Sequence, residues 1–236
     1  MKHDQHFMVD EKLASRIVDY ANLSAKDKVL EIGPGNGALT KYLVKKSKVT
    51  AVEIDPKLCE KLEKLKFKNL KVVNENALNF KDDFDVVVSN LPYSLCEPYF
   101  NKLIKKDFKR GVFCVPLSFA NRITKEKSFL SIVIPLFFKV KILEEVPKNA
   151  FSPPPKTESV VIIIEKRENI TLKSAIIKGL YLQTDKKVKS ALEETYCRSL
   201  SISKKQARDK IPKLDFLDKR VYMLNYDEWK ELISSI

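Results

Sequence analysis

Apolar runs and helical spacings alternate along the first two thirds of the chain. From Glu11 to Ala21, apolar residues stand at Leu13, Ala14, Ile17, Val18 and Ala21, one face of a helix, with Asp10 placed to cap it. Lys28 to Ile32 reads as a strand, Gly33 to Gly37 as a tight turn and Ala38 to Lys46 as a helix. A second strand, Lys48 to Ile54, ends at Asp55-Pro56, and a helix follows over Lys57 to Lys66. Leu70 to Asn74 is a third strand and Phe84 to Ser89 a fourth. The fourth contains Val86-Val87-Val88, apolar on both faces, as a buried parallel strand requires. Pro98 to Lys106 continues as a helix, Gly111 to Val115 as a strand, Ser118 to Thr124 as a short helix and Ser131 to Phe138 as another strand. Lys139 to Val146 and Ser159 to Glu165 make a late antiparallel pair around Pro153-Pro154-Pro155. This alternation predicts an α/β fold, a parallel sheet with helices on both faces.

The pattern changes after Glu165. Lys166 to Asn169 reads as a linker, and beyond it Leu172, Ile176, Ile177 and Leu180 keep helical spacing with few strand signals. The expected division is therefore residues 1–168 and a small helical domain over residues 169–236. Charge sharpens that division. Lys166 to Ile236 holds 16 Lys and Arg against 10 Asp and Glu, so less than a third of the chain carries nearly half of its net +13. An excess of this size favours a polyanionic partner, nucleic acid first; the same run also reads as a solvated helix face.

Other chemistries are excluded by what is scattered or missing. Cys59, Cys96, Cys114 and Cys197 form no CxxC pair, and His3 and His6 have no further partners, so no metal site and no disulfide framework is expected. The longest apolar stretch, Phe129 to Phe138, is broken by Ser131 and Pro135 and is too short to span a bilayer. No signal-type apolar core opens the chain. A cytoplasmic monomer with no membrane contact is the expectation.

Four features carry chemistry. Glu31-Ile32-Gly33-Pro34-Gly35-Asn36-Gly37 lies between the first strand and its helix. Its spacing is GxGxG rather than the GxGxxG of dinucleotide binders, and with an acid two positions before the first Gly it matches the S-adenosylmethionine loop of class I methyltransferases. Glu53, at the end of the second strand, can accept hydrogen bonds from both hydroxyls of a ribose. After the third strand, Glu75-Asn76-Ala77-Leu78 offers a polar side chain to an adenine edge. The fourth strand delivers Asn90-Leu91-Pro92-Tyr93 at its carboxyl end, where Pro92 stops the ladder. Asn supplies an acceptor for an amine and Tyr a flat face for a base.

Loop, acid, polar reader and Asn-Leu-Pro-Tyr, in this order, resemble the ribosomal RNA adenine N6,N6-dimethyltransferases of the KsgA/Erm type, most of all the archaeal small-subunit enzymes. Gln5-His6-Phe7-Met8-Val9-Asp10 is similar to that family's GQxFLxD segment. Ala150-Phe151-Ser152-Pro153-Pro154-Pro155-Lys156-Thr157-Glu158-Ser159-Val160 is similar to its AFxPPPKVxSxV segment. Lys187 to Leu192, and the residues from Lys219 onward, resemble the archaeal C-terminal helices. The resemblance covers nearly the whole chain. It implies a Rossmann-like methyltransferase domain with a mostly parallel seven-stranded sheet, followed by a small helical rRNA-binding domain.

Carried over by position, the resemblance implies the site. His6 and Met8 close the cofactor pocket, His6 through its backbone. Gly33 and Gly35 line the methionine part, Glu53 with Ile54 holds the ribose side, and Asn76 with Ala77 the adenine. Asn90 and the Leu91 carbonyl accept from the target amine, Pro92 fixes the local backbone, Tyr93 stacks on the target base, and Phe151 is a second aromatic contact. Lys186, Lys187, Lys189, Arg198, Lys204, Lys205 and Arg208 are candidates for rRNA phosphate contacts. The implied activity is N6-dimethylation of adjacent adenines near the 3′ end of small-subunit rRNA, with S-adenosylmethionine as methyl donor and no metal, coupled to ribosome biogenesis. A ribosome-assembly factor with little catalysis and a large-subunit rRNA methyltransferase remain alternatives. The chain departs from the family pattern at Asp4, where Gly is usual, at Asn76, where Asp is usual, and in a shortened Thr124 to Ser131 segment.

Overall fold

The computed structural model describes residues 5–167 and 171–236. His3 and Asp4, and Glu168 and Asn169 at the end of the expected linker, lie outside the described residues. In chain order the elements are β1 (Phe7–Met8), α1 (Glu11–Tyr20), β2 (Lys28–Ile32), α2 (Thr40–Leu43), β3 (Lys48–Glu53), α3 (Pro56–Glu63), β4 (Leu70–Asn74), β5 (Val86–Asn90) and α4 (Cys96–Leu103). Then come β6 (Arg110–Pro116), α5 (Leu117–Thr124), α6 (Phe129–Phe137), β7 (Phe138–Val146), β8 (Phe151–Ser152), β9 (Ser159–Lys166), α7 (Leu172–Tyr181), α8 (Val188–Leu200), α9 (Lys204–Asp209) and α10 (Tyr226–Ser235).

Seven strands form one sheet in the order β4-β3-β2-β5-β6-β9-β7. The first five run parallel, and β9 pairs antiparallel with β6. The chain leaves β4, at one edge, and re-enters at β5 beside β2. That jump puts the carboxyl ends of β2 and β5 side by side around a crevice, where open α/β sheets bind ligands. Both faces of the sheet are covered. Val86, Val88, Val112 and Cys114 join α1 residues Leu13, Ile17 and Val18 in one apolar cluster. Phe113, pointing the other way, meets Tyr99 and Phe100 of α4 with ring centroids at 6.3 and 5.3 Å. Asp10 caps α1 as expected, its side chain accepting from the Leu13 N–H at 2.9 Å. A separate two-stranded ladder joins β1 to β8, Phe7 opposite Ser152 and Met8 opposite Phe151.

The chain forms two compact units. One comprises residues up to Asn121 together with Lys139–Lys166; the other comprises Arg122–Phe138 and Arg167–Ile236. The second unit accounts for a correction. The apolar run expected to be a strand over Ser131 to Phe138 lies in helix α6 as far as Phe137, and only Phe138 is extended. Ser128 opens that helix with a capping box, its hydroxyl accepting from the Ser131 N–H while Ser131 reaches back to the Ser128 N–H. That box satisfies N–H groups that would otherwise be orphaned. Pro135 sits inside the helix, costing one backbone hydrogen bond. Tertiary packing outweighs that cost. The Phe129 ring lies 5.6 Å from Tyr181 of α7 and 4.7 Å from Trp229 of α10, and Leu130, Val133, Ile134 and Phe137 are buried. The buried residues keep helical spacing, but Ile132 and Leu136 on the half-buried side are apolar as well, so the letters alone show no stripe.

Within the second unit, α7 and α8 cross at Gly179. A Cβ built there would fall 2.4 Å from Cγ2 and 2.6 Å from Oγ1 of Thr195. Alanine is the better helix former by about 1 kcal/mol, but overpacking typically costs about 1–3 kcal/mol. Gly179→Ala is therefore expected to lower the urea midpoint of the chain, and Thr195→Ala added to it to recover most of the loss. A Gly179→Ala variant as stable as the parent would show that the two helices can part at no cost.

Candidate active site

The turn after β2 is the first wall of the site. Gly33, Gly35 and Gly37 have φ of +60°, +57° and +82°, the left-handed region that L side chains resist. Space is tight at Gly35 as well. A Cβ on Gly35 would stand 3.0 Å from the Phe7 ring, and one on Gly33 would stand 3.4 Å from the Pro92 ring. The turn is thus pressed between β1 and the Asn90–Tyr93 motif.

Glu53 ends β3 with its side chain inside the crevice, 5% exposed. Its Oε1 accepts from the Ile54 and Asp55 N–H groups at 2.9 and 3.0 Å, and its Oε2 from the Gly35 N–H at 3.2 Å. A carboxylate has about four acceptor positions, so Oε2 keeps one for a ligand hydroxyl. Ile54, beside it, is 64% exposed at the pocket wall. Glu31, two residues before the glycine turn, is 1% exposed and accepts from the Thr40 hydroxyl at 2.7 Å. Burial pushes its carboxyl up to about 8; the Thr40 bonds oppose the rise and the neighbouring Glu53 charge adds to it.

The second wall is the exit of β5. The Ser89 hydroxyl donates to the Ile32 carbonyl at 2.6 Å, pinning β5 to the start of the glycine turn. The Leu91 N–H donates to the Cys114 carbonyl at 3.1 Å, Pro92 has no N–H to give, and a 3₁₀ turn over Tyr93–Leu95 leads into α4. The Asn90 amide nitrogen donates to the His6 carbonyl at 3.0 Å. This bond leaves Oδ1 as the acceptor that the Asn presents to the pocket. His6 is held in turn, its Nδ1 donating to the Pro153 carbonyl at 2.9 Å. Tyr93 hydrogen-bonds Ser159 through its hydroxyl at 2.6 Å, and its ring lies 5.4 Å from the His6 ring.

A pocket of about 210 Å³ joins these walls. Of the residues expected from the sequence, His6, Met8, Gly33, Gly35, Glu53, Ile54, Asn90, Leu91, Pro92 and Tyr93 line it. Three do not. Asn76 and Ala77 sit on the adjacent loop after β4, and the Asn76 side-chain oxygen accepts from the Leu78 N–H at 2.9 Å. Phe151 is 3% exposed and belongs to the apolar cluster beneath β1, packed with Met8, Val146 and Ala150. Sequence reasoning missed Glu31, Leu39 and Leu58 as wall residues and Ser159 as the partner of Tyr93. Ser159 was visible as the Ser of the Ala150 to Val160 stretch.

The cationic candidates lie in the second unit, and four of the seven are paired there. Lys186 and Arg198 meet Glu194, Lys187 meets Asp218, and Arg208 meets Glu193. Lys189, Lys204 and Lys205 are exposed. Among the described residues no group of three or more His, Cys, Asp or Glu is placed to hold a metal ion, and no helix is long and apolar enough to cross a membrane.

Glu31 gives the site a pH signature. Its folded pKa, about 8, lies above its ordinary 4.5, so the native state holds a proton that the unfolded chain releases. Its contribution to stability is complete below pH 4.5 and is lost as pH rises toward 8. Gln cannot ionise, so Glu31→Gln is expected to flatten the fall in melting temperature between pH 5 and pH 8.5, each kcal/mol spared raising the midpoint by about 2–4 °C. Parallel profiles for parent and variant, measured without ligand, would remove Glu31 as the source.

Comparison with known proteins agrees with this geometry. The family model for ribosomal RNA adenine dimethylase matches residues 1–222. A Thermococcus gammatolerans protein described as a probable ribosomal RNA small subunit methyltransferase A is 34% identical over 95% of this chain and 84% of its own length. A Methanococcoides burtonii protein of the same description is 34% identical over 99% and 92%. The crystal structure of a dimethyladenosine transferase from Plasmodium falciparum superposes with a TM-score of 0.69 at 25% identity, covering 96% of both chains. That of the 23S rRNA methyltransferase ErmE gives 0.66 at 24% identity over 97% and 98%, which speaks to the fold. The chain belongs to the ribosomal RNA adenine dimethylase family.

Proposed function

We propose that this chain transfers methyl groups from S-adenosylmethionine to the N6 amines of adjacent adenines near the 3′ end of small-subunit rRNA, in the cytoplasm, as part of ribosome biogenesis. The observation that carries this reading is the Asn90 amide. Its nitrogen is committed to the His6 carbonyl, so its oxygen faces a pocket whose opposite wall is a glycine turn and a Glu53 carboxylate. An oriented amine acceptor beside a nucleoside-sized cradle is the arrangement that methylation of an adenine amine requires. Family membership and the small-subunit description of the relatives support the substrate class.

The residues fit the methyl donor. Gly33 and Gly35 let backbone lie against its methionine part, Glu53 keeps one acceptor position for a ribose hydroxyl, Ile54 offers an apolar cover for the adenine, and Asn76 offers its amide N–H to the adenine edge. The donor supplies a methyl group on a sulfonium. The chain's own work lies on the target side. The lone pair of the adenine amine is delocalised into the ring and is a poor nucleophile. Asn90 Oδ1 and the Leu91 carbonyl accept its two N–H bonds, draw the nitrogen toward tetrahedral geometry and free the lone pair. Positioning and preorganised hydrogen bonding supply the rate. The base must leave its stack to enter, and Tyr93, fixed by Ser159 at its hydroxyl and flanked by the His6 ring, offers a replacement face. Lys189, Lys204 and Lys205, with the ion-paired cations of α8 and α9, would engage phosphates.

The test is methyl transfer from labelled S-adenosylmethionine to undermethylated small ribosomal subunits, with large subunits and naked rRNA as controls. Dimethyladenine in the small subunit alone is the expected product. Label in large subunits would transfer the assignment to them, and subunit binding without label would leave an assembly factor. Asn90→Ala should lower methylation by at least about 100-fold and change the dissociation constant for S-adenosylmethionine by no more than about threefold. Equal losses in both would mean that Asn90 holds the donor rather than the target.

A further inference from the structure

Lys102 has a role that the site as described does not use. It lies near the end of α4, the helix that begins directly after the Asn90–Tyr93 motif. Its ammonium has three donors, and all three are taken by one loop. It donates to the carbonyls of Ala77 at 2.7 Å, Leu78 at 3.1 Å and Phe80. Burial depresses its pKa, with the Lys106 charge acting in the same direction and Glu75 opposing. A long, flexible cation surrenders side-chain entropy to sit in such a place.

The loop it holds, residues 75–81 between β4 and β5, is without helix or strand. Its first end is tied to the donor side of the pocket. The Glu75 N–H and the Asn74 amide donate to the Glu53 carbonyl, both at 3.0 Å, and the Asn74 amide also reaches the Ile54 carbonyl at 3.1 Å. Its middle is tied to α4 by Lys102. The helix is a firm anchor, since Tyr99 and Phe100 are buried against Phe113 and Phe100 also against Phe119. The circuit therefore runs from Glu53 through the loop and Lys102 to α4, and back along the chain to Asn90.

We propose that Lys102 is a positioning residue that sets the adenine side of the donor pocket, by clamping the loop bearing Asn76 and Ala77 to the helix that carries the target-binding motif. The inference deepens the proposed function and rests on its reading of Asn76 and Ala77. Lys102 touches neither donor nor target. It fixes the distance between the loop and Ile54, and with it the ability of Asn76 to tell an adenine edge from another purine edge.

The experiment is calorimetric binding of S-adenosylhomocysteine and of its 6-oxo analogue, S-inosylhomocysteine, to the full chain, with melting temperatures recorded in parallel. The parent should prefer the adenosyl compound. Lys102→Met keeps the stem and loses the charge. It should weaken adenosyl binding by about tenfold, the scale of one lost hydrogen bond to a charged group, and leave inosyl binding nearly unchanged. Lys102→Arg, which keeps the charge and the donors, should restore most of the preference. Loss of melting temperature with the preference intact would make Lys102 a stability residue and overturn the inference. Should the methionine variant unfold, Lys102→Gln, which loses the charge and is one atom too short to reach all three carbonyls, carries the same comparison. A parent that binds neither compound would overturn the S-adenosyl reading itself, whereas a parent that discriminates and a variant that discriminates equally would overturn the role of Lys102 alone.

Discussion

One carboxylate holds three separate backbone groups at the carboxyl ends of the strands. The Glu53 side chain gathers the N–H groups of Gly35, Ile54 and Asp55, and so joins the glycine turn to the exit of β3. Hydrogen bonds to a charged acceptor are worth roughly 1.5–3 kcal/mol each, more than neutral ones, and burial strengthens them. Were the carboxylate absent, the turn would keep its positive φ angles but lose its direction. The consequence would pass outward: Gly35 sets the place of Phe7, Phe7 lies in β1, and β1 is preceded by the His6 carbonyl that orients Asn90. The two walls of the pocket are thus settled by one chain of contacts that starts at a buried acid.

The β1–β8 ladder converts that chain of contacts into an enclosure. Only two residue pairs make it, and so short a ladder has little stability of its own. It holds because Met8 and Phe151 are buried in the cluster formed with α1, and because the Val9 N–H donates to the Ala150 carbonyl at 2.8 Å. Phe151 therefore works from below. It supports the segment that closes the pocket, and its ring is spent on packing rather than on a base. Tyr93 occupies the mixed environment that a stacking residue needs, anchored at the hydroxyl and partly open at the ring.

Much of this was readable from residue order. The strands β2 and β4 match the expected runs at both ends, because each apolar run is cut off sharply by Gly, Asn or charge. The glycine turn, Glu53 and Asn90 were readable because chemistry restricts what can stand at a strand end facing a ligand. What was not readable depends on the partners of a residue rather than on its type. Helix α6 looked like a strand because apolar residues on its half-buried side hide the period of its buried face, and only the Ser128–Ser131 box marked its start. Phe151 was a contact by family resemblance, and its burial comes from packing with β1, more than 140 positions away in sequence. Lys102 had no sequence signal at all, since three backbone carbonyls leave no trace in residue types.

The cations of the second unit obey a different electrostatic regime from the acids of the first. Glu193, Glu194 and Asp218 partner Arg208, Lys186, Arg198 and Lys187 at the surface, where an ion pair contributes only about 0–1 kcal/mol. Such pairs exchange readily for phosphate. A polyanion that meets many cations gains from the release of its counterions, and the gain grows with their number. The carboxylates therefore hold the side chains in place at low cost without competing strongly with a polyanion. Buried bonds in the pocket cannot be averaged in this way, because each one lost leaves an unpaired polar atom costing about 1–3 kcal/mol. Individual residues decide what happens at Glu53 and Asn90, while on α8 and α9 the outcome follows the sum. That difference also explains why the pocket could be read from single letters of the sequence and the cationic surface only from its net charge.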